Sequence, residues 1–395
     1  MLSRVFDTER DNNMNPENQA RTFVILLLVV LTACSPATTP VPTEPPPPTT
    51  LQATATPAQP VTRTAKDLKT ELDTIMQKMA KSGNFSGSIL VARNGEIIMS
   101  EGYGQADREK KILNTAQTRY RIGSITKQFT AMAILMLQEL GKLNVQDPIC
   151  NYMTDCPAAW RGVTLHHLLT HTSGIPNFTE FSDYNATKAT PSSPEQTIHR
   201  FISKPLDFKP GEKWNYSNSN YVLLGKVIEQ ASGQSYEDFL RRYIFEPLKM
   251  NSTGYDRNQP DLAVGYVDQT VSKADYHDMS IPYAAGALLS TVEDLYRWDQ
   301  ALYTEQLLPQ KALDDMFTAH VSVSEEQGLG YGYGWLISRA FNRFMIFHGG
   351  SIDGYTSLIE RYPDDKVTVI VLTNQGNLDP AMTSDMLKAS IFGGR

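Results

Sequence analysis

Ser124 and Lys127 stand three residues apart at the head of an apolar run, Phe129-Thr130-Ala131-Met132-Ala133-Ile134-Leu135-Met136-Leu137. Residues at that spacing share a face of a helix, so the hydroxyl and the amine can meet. A serine hydroxyl is a weak nucleophile until a neighbouring base takes its proton. A lysine buried at the root of a helix is suited to that task, because burial disfavours the charged ammonium. Such a pair would attack a carbonyl and carry an acyl group. Standing alone, it reads equally well as an exposed helix start with Ser124 as N-cap. It is, however, the only Ser-x-x-Lys in the chain.

Two companions follow in order. Tyr216-Ser217-Asn218, the only Tyr-x-Asn, ends a turn-rich stretch that begins at Pro210-Gly211. A phenol on a loop can pass a proton between a serine and a leaving group, and an amide two residues on can hold a substrate carbonyl or the lysine. His348-Gly349-Gly350-Ser351 follows the strand-like Phe344-Met345-Ile346-Phe347. Consecutive glycines at a strand end admit a substrate backbone, and N–H groups there are available to an oxyanion. Each companion alone would be an ordinary polar turn or strand bulge.

Together the three elements resemble the Ser-x-x-Lys, Ser-Asp-Asn and Lys-Thr-Gly set of class A β-lactamases and penicillin-binding proteins. The chain is most similar to the class C-like branch of the serine β-lactamase-related superfamily. That branch holds class C β-lactamases, D-Ala-D-Ala carboxypeptidases, D-aminopeptidases and lactamase-fold esterases. Stretches 120–127, 167–175 and 331–335 fit as well, and the resemblance spans about residues 65–395. It implies Ser124 as the acylated nucleophile, Lys127 as its base partner and Tyr216 as the proton shuttle. Asn218 would orient the substrate or Lys127. His348 takes the place of the lysine of Lys-Thr-Gly and Gly350 that of its glycine. The oxyanion hole would be the backbone N–H groups of Ser124 and Ser351.

The chain departs from that pattern at His348 and Gly349. A histidine is mostly neutral at physiological pH, where a lysine is a permanent cation. Gly349 replaces a hydroxyl residue that often binds a substrate carboxylate. Both changes favour an esterase or D,D-peptidase-like hydrolase over an efficient β-lactamase, although histidine also occurs here in some D,D-carboxypeptidases. A β-lactamase and a non-catalytic, penicillin-binding sensor of cell-wall peptides are the alternatives; a pure binder has no reason to keep Ser124, Lys127 and Tyr216 together. The expected partner is a small-molecule or peptide substrate, and no cofactor or metal is expected.

The elements that must position these residues follow from periodicity. A helix is expected over about 65–82 and a hairpin over 86–103 around Asn94-Gly95. The Ser124 helix should end near Gly141. Further helices are expected at 165–169, 194–202, 221–231, 236–244 and 292–302. Strands are expected at 332–337, 344–348, 355–361 and 367–373, then a closing helix at 380–392. Strands at both ends and helices between them predict an α+β fold. Its antiparallel sheet would be built from the N- and C-terminal strands and flanked by helices, with a mainly helical region inserted. The sheet lobe would cover about 65–123 and 325–395, the helical lobe about 124–324.

The N-terminal part reads differently. Arg21 precedes the apolar run 23–31, which ends Leu31-Thr32-Ala33-Cys34 and resembles a bacterial lipobox. Residues 1–33 are thus expected to be a lipoprotein-type signal peptide and Cys34 to carry lipid. An ordinary signal peptide or short anchor is the alternative. Residues 34–64, rich in Pro and Thr, would form an extended tether. The domain would then lie outside the cytoplasm, lipid-anchored to the bacterial cell envelope. In that oxidising setting Cys150 and Cys156 are expected to form a small-loop disulfide, with buried thiols as the alternative. The net charge of −7 gives no sign of nucleic acid. His166, His167 and His171 lack the His-Glu-x-x-His of a metalloprotease and are read as shaping the cleft.

Overall fold

The turn at Asn94-Gly95 has both residues at positive φ, 54° and 79°, the conformation a two-residue hairpin needs. It joins β1 (Gly87–Arg93) to β2 (Glu96–Tyr103). The remaining strands of the same sheet come from the other end of the chain: β3 (Val321–Ser324), β4 (Leu329–Tyr331), β5 (Leu336–Ala340), β6 (Arg343–Ile352), β7 (Tyr355–Tyr362) and β8 (Val367–Thr373). Their order is β2-β1-β8-β7-β6-β5-β4-β3, and every neighbouring pair is antiparallel. β8 lies between β1 and β7, with Gly87 opposite Thr373 and Arg93 opposite Val367. The two ends of the domain are thereby locked into one sheet, an α+β architecture as expected. The computed structural model describes residues 64–257, 261–270 and 272–393; the signal segment, Cys34 and the tether up to residue 63 lie outside them.

Five longer helices frame the sheet: α1 (Ala65–Lys81), α2 (Thr126–Glu139), α3 (Asn218–Ser232), α4 (Val292–Ala301) and α5 (Pro380–Phe392). Successive strand residues point to opposite faces, and both faces are covered. Ile89, Val91, Val369 and Val371 face a core shared with Leu68, Leu72 and Met76 of α1 and Leu387 and Ile391 of α5. Leu90, Ile359, Ile370 and Leu372 face the larger core built around α2, α3 and α4. A strand buried on both sides reads as a continuous apolar run, as Val367–Thr373 does.

Several boundaries differ from the sequence reading. Of the strand expected at 332–337 only Leu336 and Ile337 are strand, in β5; residues 332–335 form the bend that follows β4. Gly334 at the bend has φ of +76°, and a Cβ there would meet the Lys127 carbonyl oxygen at 2.8 Å. The bend therefore lets the sheet edge touch the start of α2. The sheet begins at Val321, before the expected lobe boundary. The helix expected from 221 starts at Asn218. Those expected over 194–202 and 236–244 stop as α-helices at His199 and Leu240. The helical region also holds a three-stranded sheet of Tyr120–Arg121, Leu288–Ser290 and Gly254–Tyr255. Strands of two or three residues carry no legible alternation. The sulfurs of Cys150 and Cys156 are joined.

Candidate active site

Every residue from Tyr120 to Leu135 is buried except Ser124, which is partly exposed. Ser124 sits in the tight turn Gly123–Ile125 that feeds directly into α2. Its backbone N–H thus lies at the positive end of a fourteen-residue helix. Lys127, fully buried, is on the first turn of α2.

Three acceptors surround the Lys127 nitrogen. Nζ lies 2.9 Å from Ser124 Oγ, 2.8 Å from Asn218 Oδ1 and 2.8 Å from the Ala285 carbonyl oxygen. The last two only accept, so they fix two N–H bonds. The third direction faces a hydroxyl that can donate as well as accept. Once deprotonated, an amine held by those two acceptors would aim its lone pair at the Ser124 proton. Tyr216 Oη donates to the same Ser124 Oγ at 2.8 Å, and Nζ lies 4.8 Å from the Tyr216 ring centre. Ser124, Lys127, Tyr216 and Asn218 are brought together, although Tyr216 is 92 residues from Ser124 in sequence.

The first turn of α3 and the loop before it hold this cluster. Asn218 accepts Lys127 on Oδ1 and donates from Nδ2 to Thr179 Oγ1 at 3.1 Å, while its N–H reaches Asn177 Oδ1 at 3.0 Å. Ser219 donates to the Pro176 carbonyl at 2.6 Å and Ser173 to Asn220 Oδ1 at 2.6 Å. The 173–179 loop is thus stitched to the polar first turn of a helix whose next turn, Tyr221 to Gly225, is buried.

His171 brackets Tyr216. Its carbonyl accepts the N–H of Asn215 at 2.9 Å, and its Nδ1 accepts the N–H of Ser217 at 3.1 Å. Its ring lies against the phenol, centres 4.3 Å apart. His171 takes the left-handed φ of 58° to do this. Burial, reinforced by the nearby Lys127, pushes its pKa well below the usual histidine value, so the ring stays neutral. Nδ1 is the acceptor, which assigns the proton to Nε2.

His348 lies on β6 but its ring is fully buried. Nε2 is 3.1 Å from the Tyr331 hydroxyl and Nδ1 is 2.6 Å from the Gly349 carbonyl oxygen. A carbonyl only accepts, which assigns the proton to Nδ1 and makes Tyr331 the donor to Nε2. Burial, reinforced by the Lys127 charge, lowers its pKa to about 3. The sequence suggested a ring mostly neutral at physiological pH; in the structure it is neutral and also fully buried, held by Tyr331 and the Gly349 carbonyl.

Gly349, Gly350 and Ser351 lie just before the end of β6. β5 pairs with β6 only as far as Phe347, opposite Leu336, so that edge of the strand has no β5 partner from His348 onward. β6 and β7 turn through Asp353-Gly354, with Ile352 opposite Tyr355. Alternate residues of such a hairpin exchange hydrogen bonds with the partner strand, which leaves the Ser351 N–H on the free edge. That nitrogen is 2.9 Å from where a Cβ on Gly123 would sit. A Cβ on Gly350 would fall well inside hydrogen-bonding distance of the Ile122 carbonyl oxygen. Two glycines therefore let β6 close on the Ser124 turn. Ser357 Oγ holds the Ile122 carbonyl at 2.9 Å.

Sequence reasoning missed the Ala285 carbonyl, Asn177 and Thr179. A backbone carbonyl leaves no sequence signal. Asn177 and Thr179 stand just past the 167–175 stretch and were open to notice only as polar residues beside it. His166 and His167 take local roles: His166 Nδ1 meets Tyr333 Oη at 2.8 Å, and His167 Nδ1 accepts the Thr164 N–H at 3.2 Å.

Comparison with known proteins bears on this arrangement. The family model described as Beta-lactamase matches residues 72–390. Penicillin-binding protein 4* of Bacillus subtilis is 31% identical over 347 residues, covering 82% of this chain and 76% of that protein. The octameric penicillin-binding protein homologue from Pyrococcus abyssi is 34% identical with a TM-score of 0.74, over 82% of this chain and 77% of that one. A D-stereospecific amidohydrolase from Streptomyces is 28% identical with a TM-score of 0.71, over 82% of this chain and 99% of that one.

Proposed function

The chain belongs to the β-lactamase family of serine hydrolases and penicillin-binding proteins, and from that premise we propose that it hydrolyses an ester, amide or peptide carbonyl through an acyl-enzyme on Ser124. Ser124 Oγ gives its proton to Lys127 Nζ as it bonds to the carbonyl carbon. The oxygen, now negative, is met by the N–H groups of Ser124 and Ser351. The tetrahedral carbon expels its leaving group, which takes a proton through Tyr216, leaving an acyl-serine. Water then attacks the ester, gives a proton back through the Lys127–Tyr216 pair, and releases the acid with Ser124 restored. The observation that carries this reading is the placing of Ser124 Oγ between Lys127 Nζ and Tyr216 Oη, with two pure acceptors on the lysine.

The substrate is esterase- or D,D-peptidase-like. A neutral, buried His348 supplies no cation to a substrate carboxylate, which supports uncharged acyl donors such as esters and amides over carboxylate-bearing β-lactams and peptide ends. The similarity to an amidohydrolase supports amides among the substrates. In this reading Cys34 bears lipid and the domain works outside the cytoplasm at the membrane surface. Metabolic labelling with a palmitate analogue should tag the protein and spare Cys34→Ala; a protein that matures at another residue would contradict the anchor.

The deciding experiment is a hydrolysis panel of p-nitrophenyl esters, a D-Ala-D-Ala peptide, a D-amino-acid amide and nitrocefin, run on wild type and Ser124→Ala. A fluorophosphonate should label the peptide containing Ser124. Turnover that survives Ser124→Ala, or label on another serine, would overturn the reading.

A further inference from the structure

Asp353, at the tip of the β6–β7 hairpin, anchors a charged cluster that plays no part in the proton transfers above. Its Oδ1 receives Lys188 Nζ at 2.8 Å, and its Oδ2 lies 2.8 Å from His277 Nδ1. The Tyr184 hydroxyl is 3.2 Å from His277 Nε2. Lys188 is 9% exposed and His277 4%, while the Asp353 side chain keeps 27%. Burial would raise the Asp353 pKa, yet the hydrogen bonds and charges of His277 and Lys188 hold it below the usual carboxylate value. Burying a lysine and a carboxylate is costly unless the geometry is good, so the cluster is a built feature.

Its place relative to Ser124 follows from two segments. The first runs from Asn177 and Thr179, bonded to Asn218, to Lys188. The second is the free edge of β6 from His348 to Asp353. The reacting serine lies between their near ends, and the Lys188–Asp353 ion pair joins them at the far end. The Tyr216 and His348 ring centres are 6.4 Å apart, which puts the phenol that would protonate the leaving group toward the His348 end of that edge. The acyl part must then extend the other way, past Ser351 toward Asp353. Two residues of extended strand span about 7 Å.

We infer that Lys188, Asp353 and His277 form the end wall of the acyl pocket and restrict the enzyme to short acyl groups. This rests on the hydrolase reading above and names the substrate class within it. Long acyl chains meet the ion pair, and opening it would leave a charge buried without its partner.

The test is the ratio of kcat/KM for p-nitrophenyl octanoate to that for p-nitrophenyl acetate, in wild type, Lys188→Ala and Asp353→Ala. The ratio cancels any general loss of catalytic power. In wild type it should be well below one, since exclusion of even one methylene gives roughly 10- to 200-fold discrimination. Each truncation, one from either side of the bridge, should raise it by about tenfold or more. A wild type that takes octanoate as readily as acetate would overturn the wall, and so would an unchanged ratio in whichever truncation folds. Ester turnover that persists in Ser124→Ala would instead indict the hydrolase reading itself.

Discussion

Gly350→Ala tests the oxyanion geometry most directly. The new methyl would lie far inside contact distance of the Ile122 carbonyl oxygen and also press on Ser357 Oγ. Ordinary non-bonded contacts need well over 3 Å, so β6 and the Ser124 turn must part by about 1 Å. The Ser351 N–H moves with them, away from Oγ. A misplacement of about 1 Å costs on the order of 10²-fold, and removal of one oxyanion donor about 10²–10³-fold. The expected fall in kcat is therefore roughly 10²-fold, about 2.7 kcal/mol of transition-state stabilisation. Overpacking should also lower fold stability by about 1–3 kcal/mol. The assay is kcat on a p-nitrophenyl ester at a temperature where a thermal melt shows the variant folded. Gly162→Ala, where a Cβ meets nothing within 4 Å, is the control. A folded Gly350→Ala with kcat within about threefold of wild type would refute the placing of the Ser351 N–H at the reacting carbonyl.

Lys127→Ala and Tyr216→Phe should each lower kcat by about 10² or more, and near-normal turnover in folded forms of both would remove them from the proton path. His171→Leu should slow an anilide more than a p-nitrophenyl ester, whose leaving group needs no proton from Tyr216. His171→Asn, which restores an acceptor near Nδ1 and tolerates positive φ, should recover much of the loss; equal losses on both substrates in His171→Leu would show that His171 does not act through Tyr216. The buried His348 and half-buried His166 also set a pH dependence of stability. His348 has its pKa lowered from 6.5 to about 3 and His166 to about 4. Between pH 6.5 and those values the unfolded chain binds protons that the folded chain refuses, so stability rises with pH and falls on acidification. Tm should drop between about pH 7 and about pH 5, and a flat Tm across that window would mean these rings are accessible to protons.

The sequence by itself determined whatever is local. Ser124 and Lys127 meet because a helical turn sets their spacing, and that period is readable in four residues and the apolar run behind them. The Asn94-Gly95 hairpin and the double-sided burial of Val367–Thr373 follow from backbone and side-chain preferences of the same short range. The gathering of Tyr216, Asn218 and the His348 strand around Ser124 was legible only through resemblance, since no local rule brings together residues about a hundred or more apart. Tertiary structure alone decided protonation and access. His348 is neutral because Tyr331 and the Gly349 carbonyl enclose it, and burial is set by every element packed around a group. The Ala285 carbonyl that aims Lys127, the His171 clamp on Tyr216, and the Lys188–Asp353 bridge share that origin. Each joins backbone or charged groups from distant segments, whose pairing is fixed only when the sheet closes and the helices pack against it.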